Sequence, residues 1–185
     1  MSVKRCAWVT PDPLYIHYHD TEWGVPLYDS QKLFEFIILE GAQAGLNWLT
    51  VLKKRESYRQ FMDNFNPEKI ARYNSQKIQK LLNNKNIIRN TLKIQSAIKN
   101  AQAYLNLSRD FSDFLWDFVE GHPIQNHWHS PSEIPTKSSI SDQMSRTLKQ
   151  AGFSFVGSTI CYAFMQAVGM VNDHLICCFR HKELC

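Results

Sequence analysis

The chain has 185 residues, of which 44% are hydrophobic, so it can bury a core without disulfide bonds. Its formal net charge of +4 is compatible with a polyanionic partner but does not by itself indicate one. No apolar run is long enough to span a membrane, and residues 1–5 are not followed by the apolar stretch of a secretory signal. We therefore expect a cytoplasmic protein without membrane contact, folded as one domain over residues 1–185. The sequence contains no signal for an oligomer, and we expect a monomer.

Apolar residues recur at helical spacing along most of the chain and seldom alternate as they do in a strand, so the sequence predicts an all-α fold. The first predicted helix covers residues 30–44 and begins behind Asp29, a favourable cap. A second helix is expected over residues 47–61, with Asn47 as its cap. Residues 66–67, Asn-Pro, then start a short helix, because proline is favoured in the first helical position.

The second half of the chain has the same helical pattern. Residues 75–82 and 91–107 predict two helices whose short connection, 83–90, indicates a helical hairpin near residues 75–107. Further helices are expected over residues 110–119, 141–150 and 158–168, and the last of these is apolar on nearly every side and therefore central. Residues 121–137 are rich in proline and histidine and predict an irregular loop within the domain.

Metal-ligand residue types gather at the two ends of the chain. Five cysteines are an odd number, and in a reducing compartment thiolate metal binding is a better interpretation of some of them than disulfides. Cys6 and His19 near the start, with His174 and Cys178 near the end, would supply the four ligands of a structural zinc site. Such a site would join segments 6–19 and 174–178. The spacing is not that of a zinc finger, so two alternatives stay open: four unrelated residues, or a ligand set that includes His17, Cys177, His181 or Cys185.

Glu40 is the most informative acidic residue. Its neighbours at helical spacing are mostly apolar, among them Phe36, Ile37 and Ala44. Two interpretations follow from that pattern: a partly exposed glutamate near the end of a helix, or a buried acid, which would be a candidate functional group.

Aromatic residues lie on both sides of Glu40 in the sequence, and their flat faces suit the stacking of a planar ligand. For any one of them, ordinary core packing is the competing explanation. Together with a carboxylate they would suit a planar, electron-poor cation. These residues are Trp8, Tyr15, Tyr18, Trp23 and Trp48.

Several segments, taken in order, resemble the bacterial 3-methyladenine DNA glycosylase I family, and the resemblance extends over almost the whole chain. The segments are RCAWV at 5–9, DPLY at 12–15, YHD at 18–20, EWGVP at 22–26, LEG at 39–41, QAGLNW at 43–48, VLKKR at 51–55, GF at 152–153, FVG at 155–157, TICY at 159–162, FMQA at 164–167 and VNDH at 171–174.

The resemblance implies a helix-hairpin-helix DNA glycosylase fold with one structural zinc ion held by Cys6, His19, His174 and Cys178. It further implies a pocket in which the damaged base lies against Glu40, the catalytic residue, and against aromatic substrate-binding residues. Those residues are Tyr18 and Trp48, with Tyr15, Trp8 and Trp23 close by. DNA contacts are implied for the turn at Gly45 and Leu46, which would enter the base stack, and for Ile87, Ile88 and Arg89 in the hairpin.

The chain departs from the family pattern in three places. The hairpin connection at residues 84–87 has asparagine where many helix-hairpin-helix proteins carry glycine, which weakens the expectation of main-chain phosphate contacts. Ala163 stands where relatives often have serine. The stretch from His122 to His129 has no clear counterpart, and we assign it no role.

The function implied is the excision of 3-methyladenine from alkylated double-stranded DNA, in base excision repair, by flipping the base and hydrolysing its N-glycosidic bond. No lysine occupies a position that indicates a Schiff-base nucleophile, so a monofunctional enzyme without strand cleavage is expected. Two alternatives belong to other classes. One is a zinc-stabilised protein that binds distorted DNA without cutting it; the other is a hydrolase using Cys161, whose apolar helix favours a core position instead.

Overall fold

The computed structural model describes residues 3–185; Met1 and Ser2, which belong to the expected 1–185 domain, lie outside the described residues. The described chain is mostly helical. Its helices are α1 (Pro13–Thr21), α2 (Ser30–Gln43), α3 (Trp48–Leu52), α4 (Arg55–Phe61), α5 (Pro67–Ile70), α6 (Ser75–Asn83), α7 (Thr91–Leu105), α8 (Phe111–Trp116), α9 (Ser139–Gln150), α10 (Ser158–Ala167) and α11 (Phe179–Glu183). None of them is long and apolar enough to cross a membrane.

Side-chain caps set the starts of five helices that the sequence predicts. Asp29 accepts a hydrogen bond from the Lys32 amide at 2.8 Å, and Asn47 accepts one from the Thr50 amide at 2.9 Å. Each cap satisfies an amide that has no partner within its helix. Asn66, Asn74 and Asn90 cap their helices in the same way. The predicted starts of these helices are therefore confirmed.

The single helix expected over residues 47–61 is wrong, because the chain breaks it into α3 and α4. The Lys54 amide bonds to the Val51 carbonyl, three residues back, which tightens and ends α3. The chain then restarts at Arg55, whose guanidinium reaches Glu22 at 2.8 Å. The break between α3 and α4 therefore coincides with an ion pair between residues that are far apart in the sequence.

The expectation of a wholly irregular segment over residues 121–137 is also wrong. Strand β1 (Ile124–Gln125) pairs in parallel with β2 (Val171–Asn172), with Ile124 opposite Val171. A short 3-10 turn follows at Pro131–Glu133. This pairing is the one departure from an all-α fold among residues 3–185, and it fastens the segment to the chain just before His174. The sequence interpretation did not include helices α1 and α11.

Helix α2 lies at the centre of the molecule, where it contacts α3, α7, α8 and α10. Its residues from Leu33 to Ala42 are all buried, including Glu40. Helices α6 and α7 contact each other across the connection at residues 84–90, close to the bounds that the sequence predicts. Helices α1, α2, α3 and α10 each contribute residues to one cavity, described next.

Candidate active site and metal centre

Four buried side chains from the two ends of the chain meet at a candidate metal centre. Their ligand atoms all lie within 4.8 Å of one another. The four residues are Cys6, His19, His174 and Cys178. The competing residues His181 and Cys185 lie beside each other, with 3.7 Å between Sγ and Nδ1, and are not part of the cluster, nor are His17 and Cys177.

The distances in this cluster fit a tetrahedral metal ion. The sulfur of Cys178 lies 3.5 Å from His19 Nε2 and 3.5 Å from His174 Nδ1, and the sulfur of Cys6 also lies 3.5 Å from His174 Nδ1. Zinc–sulfur bonds of about 2.3 Å and zinc–nitrogen bonds of about 2.0 Å, arranged tetrahedrally, place sulfur and nitrogen about 3.5 Å apart. These three separations therefore fit a zinc ion, and all four ligand atoms lie within 4.8 Å of one another.

Outer contacts of the two histidines direct their other ring nitrogens toward the cluster, where His19 Nε2 accepts a hydrogen bond from the Cys6 amide at 3.4 Å. His19 Nδ1 lies 2.7 Å from Asp20, whose carboxylate also pairs with Arg5. His174 Nε2 lies 3.1 Å from the carbonyl oxygen of Trp23. A histidine that donates through one ring nitrogen presents the lone pair of the other to a metal. Hydrogen bonds from Cys6, His174 and His19 lower the pKa of the Cys178 thiol, which favours the thiolate that metal binding needs.

Next to this centre lies a cavity of about 410 Å³. It is lined by Glu40 and by all five aromatic residues that the sequence analysis selected, together with side chains that it did not select. The selected aromatic residues are Trp8, Tyr15, Tyr18, Trp23 and Trp48. The additional residues are Gln43, Pro131, Ile134, Pro135, Thr136, Thr159, Tyr162, Ala163 and Gln166.

Glu40 is a buried acid, so the interpretation of a partly exposed glutamate is wrong. It is 4% exposed, and burial raises its pKa to about 8. No group within residues 3–185 donates a hydrogen bond to its carboxyl group, although the residue lines the cavity. At neutral pH the acid is therefore mostly uncharged in this structure. A cation placed beside it would favour ionisation and so gain an ion pair.

The aromatic side chains form two groups along the cavity. The ring of Trp8 lies 4.9 Å from that of Tyr15 and 5.0 Å from that of Trp23, measured between centroids. The rings of Tyr18 and Trp48 are 5.5 Å apart and tilted by 44°. A base stacked between two parallel rings needs about 7 Å, twice the contact distance between carbon atoms. One of these two rings must therefore move if a base is to lie between them.

A second cavity, of about 190 Å³, connects this site to the turn after α2. Both cavities are lined by Glu40, Gln43, Thr159 and Ala163, and the smaller one is also lined by Gly45 and Leu46. Gly45 has a φ of +77°, which favours glycine, and Leu46 is 43% exposed. The turn therefore presents an apolar side chain to solvent beside the cavity.

The three hairpin residues expected to contact DNA differ in exposure. Arg89 is exposed and Ile88 is half-buried, whereas Ile87 is 2% exposed. Because the Ile87 side chain packs in the core, a DNA contact at this residue would have to use its main chain, and the expectation of DNA contact through the hairpin stays a prediction. No residue of the connection 84–90 has a positive φ, so this connection does not need the glycines of other hairpins.

Cys161 does not have the surroundings of a nucleophile. It is 1% exposed, and burial raises the pKa of its thiol to about 12. A reactive cysteine needs a lowered pKa and access to substrate. The structure therefore places Cys161 in the core and gives no support to a cysteine hydrolase.

In a helical protein, an aromatic cavity around a buried carboxyl group, next to a Cys/His cluster, has the lining that suits a planar organic ligand. Residues 8–181 match the family model described as methyladenine glycosylase. The chain therefore belongs to the methyladenine glycosylase family, which makes it a glycosylase, a hydrolase that acts in base excision repair.

Individual relatives agree with that assignment. The chain is 53% identical to DNA-3-methyladenine glycosylase 1 of Escherichia coli (strain K12), with 96% of this chain and 97% of the relative covered. It superimposes with a TM-score of 0.94 on a crystal structure of 3-methyladenine DNA glycosylase I, at 53% identity, covering 95% of this chain and 98% of the other. A structure describing 3-methyladenine recognition by the Staphylococcus aureus enzyme has a TM-score of 0.92 at 39% identity, with 97% of both chains covered.

Proposed function

We propose that this protein removes 3-methyladenine from alkylated duplex DNA by flipping the damaged nucleotide into the aromatic cavity and hydrolysing its N-glycosidic bond, without cutting the strand. The observation that carries the proposal is Glu40, a buried carboxyl group without a protein donor, in a cavity lined by aromatic side chains. The relative from Staphylococcus aureus, which recognises 3-methyladenine, supports the choice of ligand. The protein would act as a monomer on chromosomal DNA in the cytoplasm.

The charge of the lesion explains both selection and reaction. Adenine methylated at N3 in DNA is a cation, so it pairs with ionised Glu40, whereas normal adenine would leave the acid buried beside a neutral base. A cationic ring on the faces of Tyr18 and Trp48 gains a further cation–π attraction of about 1–2 kcal/mol. Binding of the lesion would therefore release the proton that Glu40 holds in the free protein.

Bond cleavage needs no strong general acid in this scheme. Water adds to C1′ of the sugar and loses a proton to the solvent, while the C1′–N9 electron pair goes to the base, which leaves as neutral 3-methyladenine. The anionic Glu40 carboxylate lies in the cavity where the positive charge of the substrate is greatest and accepts hydrogen bonds from the edge of the base. We assign Glu40 as the catalytic residue on this basis.

The DNA-binding surface would include the turn at Gly45 and Leu46 and the hairpin of α6 and α7, in a helix-hairpin-helix arrangement. Leu46 is exposed and lies next to the cavity, which suits an apolar wedge that fills the gap left by the flipped base. Arg89 and the half-buried Ile88 would hold the backbone on the hairpin side, with the main chain of Ile87.

Strand cleavage is not expected, because no lysine lines either cavity within residues 3–185. The nearest ammonium group at the turn belongs to Lys93, and it is held by the carbonyl oxygens of Ala42 and Ala44 at 2.7 Å each. A lyase would need a free amine at C1′ to form a Schiff base.

The four-residue cluster would hold one structural zinc ion, which supplies cross-linking between the ends of the chain and no chemistry on the base. All four positions of a tetrahedral ion would be filled by protein, so no position remains for water or substrate.

The test is the incubation of methylated duplex DNA with the protein and chromatography of the released bases. Free 3-methyladenine, with the strand intact until alkali is added, is the expected result. Binding to methylated DNA without base release would favour the non-catalytic alternative instead. Cleavage before alkali would contradict the monofunctional assignment.

A further inference from the structure

Asp173 is a buried carboxylate that accepts four hydrogen bonds and has no place in the mechanism above. It is 1% exposed. Its Oδ1 accepts from Asn126 Nδ2 at 2.7 Å and from Trp128 Nε1 at 2.8 Å. Its Oδ2 accepts from the Tyr162 hydroxyl and from Gln166 Nε2, each at 2.8 Å. A carboxylate has about four acceptor positions, so those of Asp173 are filled.

The four donors come from two parts of the chain that border the cavity. Tyr162 and Gln166 are on α10, and both line the cavity. Asn126 and Trp128 precede residues 131–136, four of which also line it. The segment to which the sequence analysis assigned no role is therefore fastened to α10 through Asp173.

The hydrogen bond from Gln166 has a chemical consequence. The NH₂ group of an amide can donate to a carboxylate and its carbonyl cannot, so Asp173 fixes which way the Gln166 amide points. The carbonyl oxygen, Oε1, has no partner within residues 3–185 and belongs to a side chain that lines the cavity. The free group is thus an acceptor, which suits a base with an exocyclic amino group, such as adenine.

We propose that Asp173 is a positioning residue that fixes the amide of Gln166 so that the cavity offers its carbonyl to the amino group of the base. The inference rests on the proposed function and adds a source of selectivity: Glu40 selects for charge and accepts one N–H of the base, and Gln166, held by Asp173, accepts the other N–H of the amino group.

The variant Asp173→Asn tests this orientation directly. The indole of Trp128 can only donate, so the single oxygen of the new amide must face it, and the new NH₂ group must face Tyr162 and Gln166. Gln166 then has to turn its carbonyl toward residue 173, which presents its NH₂ group to the cavity. The NH₂ group of Gln166 would then face the amino group of adenine, and two donors cannot form a hydrogen bond. A base with a carbonyl in that position would instead accept a hydrogen bond from Gln166.

The measurement is the affinity for free 3-methyladenine and for 3-methylhypoxanthine, in which a carbonyl replaces the amino group, by quenching of the cavity tryptophans. The readout is the ratio of the two affinities. One lost hydrogen bond is worth about tenfold, so the preference of the wild type for 3-methyladenine should fall about tenfold in Asp173→Asn. Gln166→Leu, which removes the amide, should lose the same preference, and the double variant should lose no more than either alone.

Asn126→Ala is the matched control, because it removes a donor to the other oxygen of Asp173 and leaves Gln166 untouched. It should keep the wild-type ratio. Metal content and melting temperature are measured for each variant, since His174 follows Asp173. An equal loss of affinity for the two bases in Asp173→Asn, or an unchanged affinity ratio in Gln166→Leu, would overturn the inference. The result for Gln166→Leu does so even if Asp173→Asn fails to fold. Absence of base release by the wild type would instead refute the proposed function.

Discussion

Replacement of Glu40 by glutamine should stabilise the protein, by an amount that grows with pH. The carboxyl group has an ordinary pKa of 4.5 in the unfolded chain and one of about 8 in the folded chain, where burial disfavours its charge. Between these values the folded state keeps a proton that the unfolded state has lost, so folding becomes less favourable as the pH rises. Glutamine does not titrate and is free of this penalty.

The magnitude follows from the two pKa values. Each pH unit between them costs about 1.4 kcal/mol, and the slope flattens as Glu40 begins to ionise near pH 8. From pH 6 to pH 8 the free energy of unfolding of Glu40→Gln should therefore rise by about 2 kcal/mol relative to the wild type. Other groups that titrate in this range are common to both proteins and cancel in the comparison.

Urea unfolding at pH 6 and at pH 8, with zinc present throughout, measures this difference. Glu56→Gln is a matched control, because the Glu56 side chain is 79% exposed and pairs only with Arg59 within its own helix. Its stability difference from the wild type should be the same at both pH values. A Glu40→Gln difference that does not change with pH would refute the assignment of a buried, largely protonated acid. The same variant should lose most base release, which would show that the acid is kept for function at a cost in stability.

Three further predictions concern other parts of the site. Cys178→Ala should lose the bound metal and lower the melting temperature by about 10 °C, as measured by metal analysis and calorimetry. Cys185→Ser lies outside the cluster and should keep the metal and the wild-type melting temperature. Retained metal in Cys178→Ala would contradict the ligand set. Leu46→Ala should slow excision from duplex DNA about tenfold without changing the affinity for the free base, since Leu46 lines the smaller cavity and not the larger one. An equal loss of excision rate and of affinity for the free base would argue against Leu46 as a wedge in the base stack. Lys93→Met should lower the free energy of unfolding in urea by about 1 kcal/mol and slow excision, because the carbonyl oxygens of Ala42 and Ala44 at the turn lose their donor. Unchanged excision would show that the turn is positioned without Lys93.

The sequence predicts the parts of the fold that depend on local signals. The caps at Asp29, Asn47 and Asn66 each act within three residues, and the structure has each in place. The break between α3 and α4 was not predictable in that way, because Arg55 there pairs with Glu22, 33 residues earlier. The pairing of β1 with β2 likewise joins two-residue segments 47 residues apart, too short for any periodicity to show.

The metal centre shows the same limit within one short segment. His174 and Cys178 are four residues apart, and so are His181 and Cys185, so spacing alone cannot choose between the two pairs. The choice depends on which pair meets Cys6 and His19, a contact across more than 150 residues. The resemblance to a known family made that choice, and the structure brings the same four residues together.

Asp173 was not selected from the sequence because no local pattern marks it. An aspartate between Asn172 and His174 has no helical or strand periodicity to interpret, and its donors come from residues 126, 128, 162 and 166. Its role can be inferred only from the structure, in which its buried carboxylate accepts four hydrogen bonds. Asp173 is therefore a feature of this site that structure adds to sequence, whereas Glu40 was already a candidate from the sequence.

The candidate metal centre and the aromatic cavity share the same short segments, so an ion bound at the first would affect the second. Trp8 follows Cys6 by two residues, and Tyr18 directly precedes His19. The ring of Trp23 lies 4.6 Å from that of His174, while the Trp23 carbonyl contacts its Nε2. Fixing the four ligands therefore also fixes three aromatic residues of the cavity wall. A cation held at the centre would act on base binding through these side chains, although none of its ligands lines the cavity.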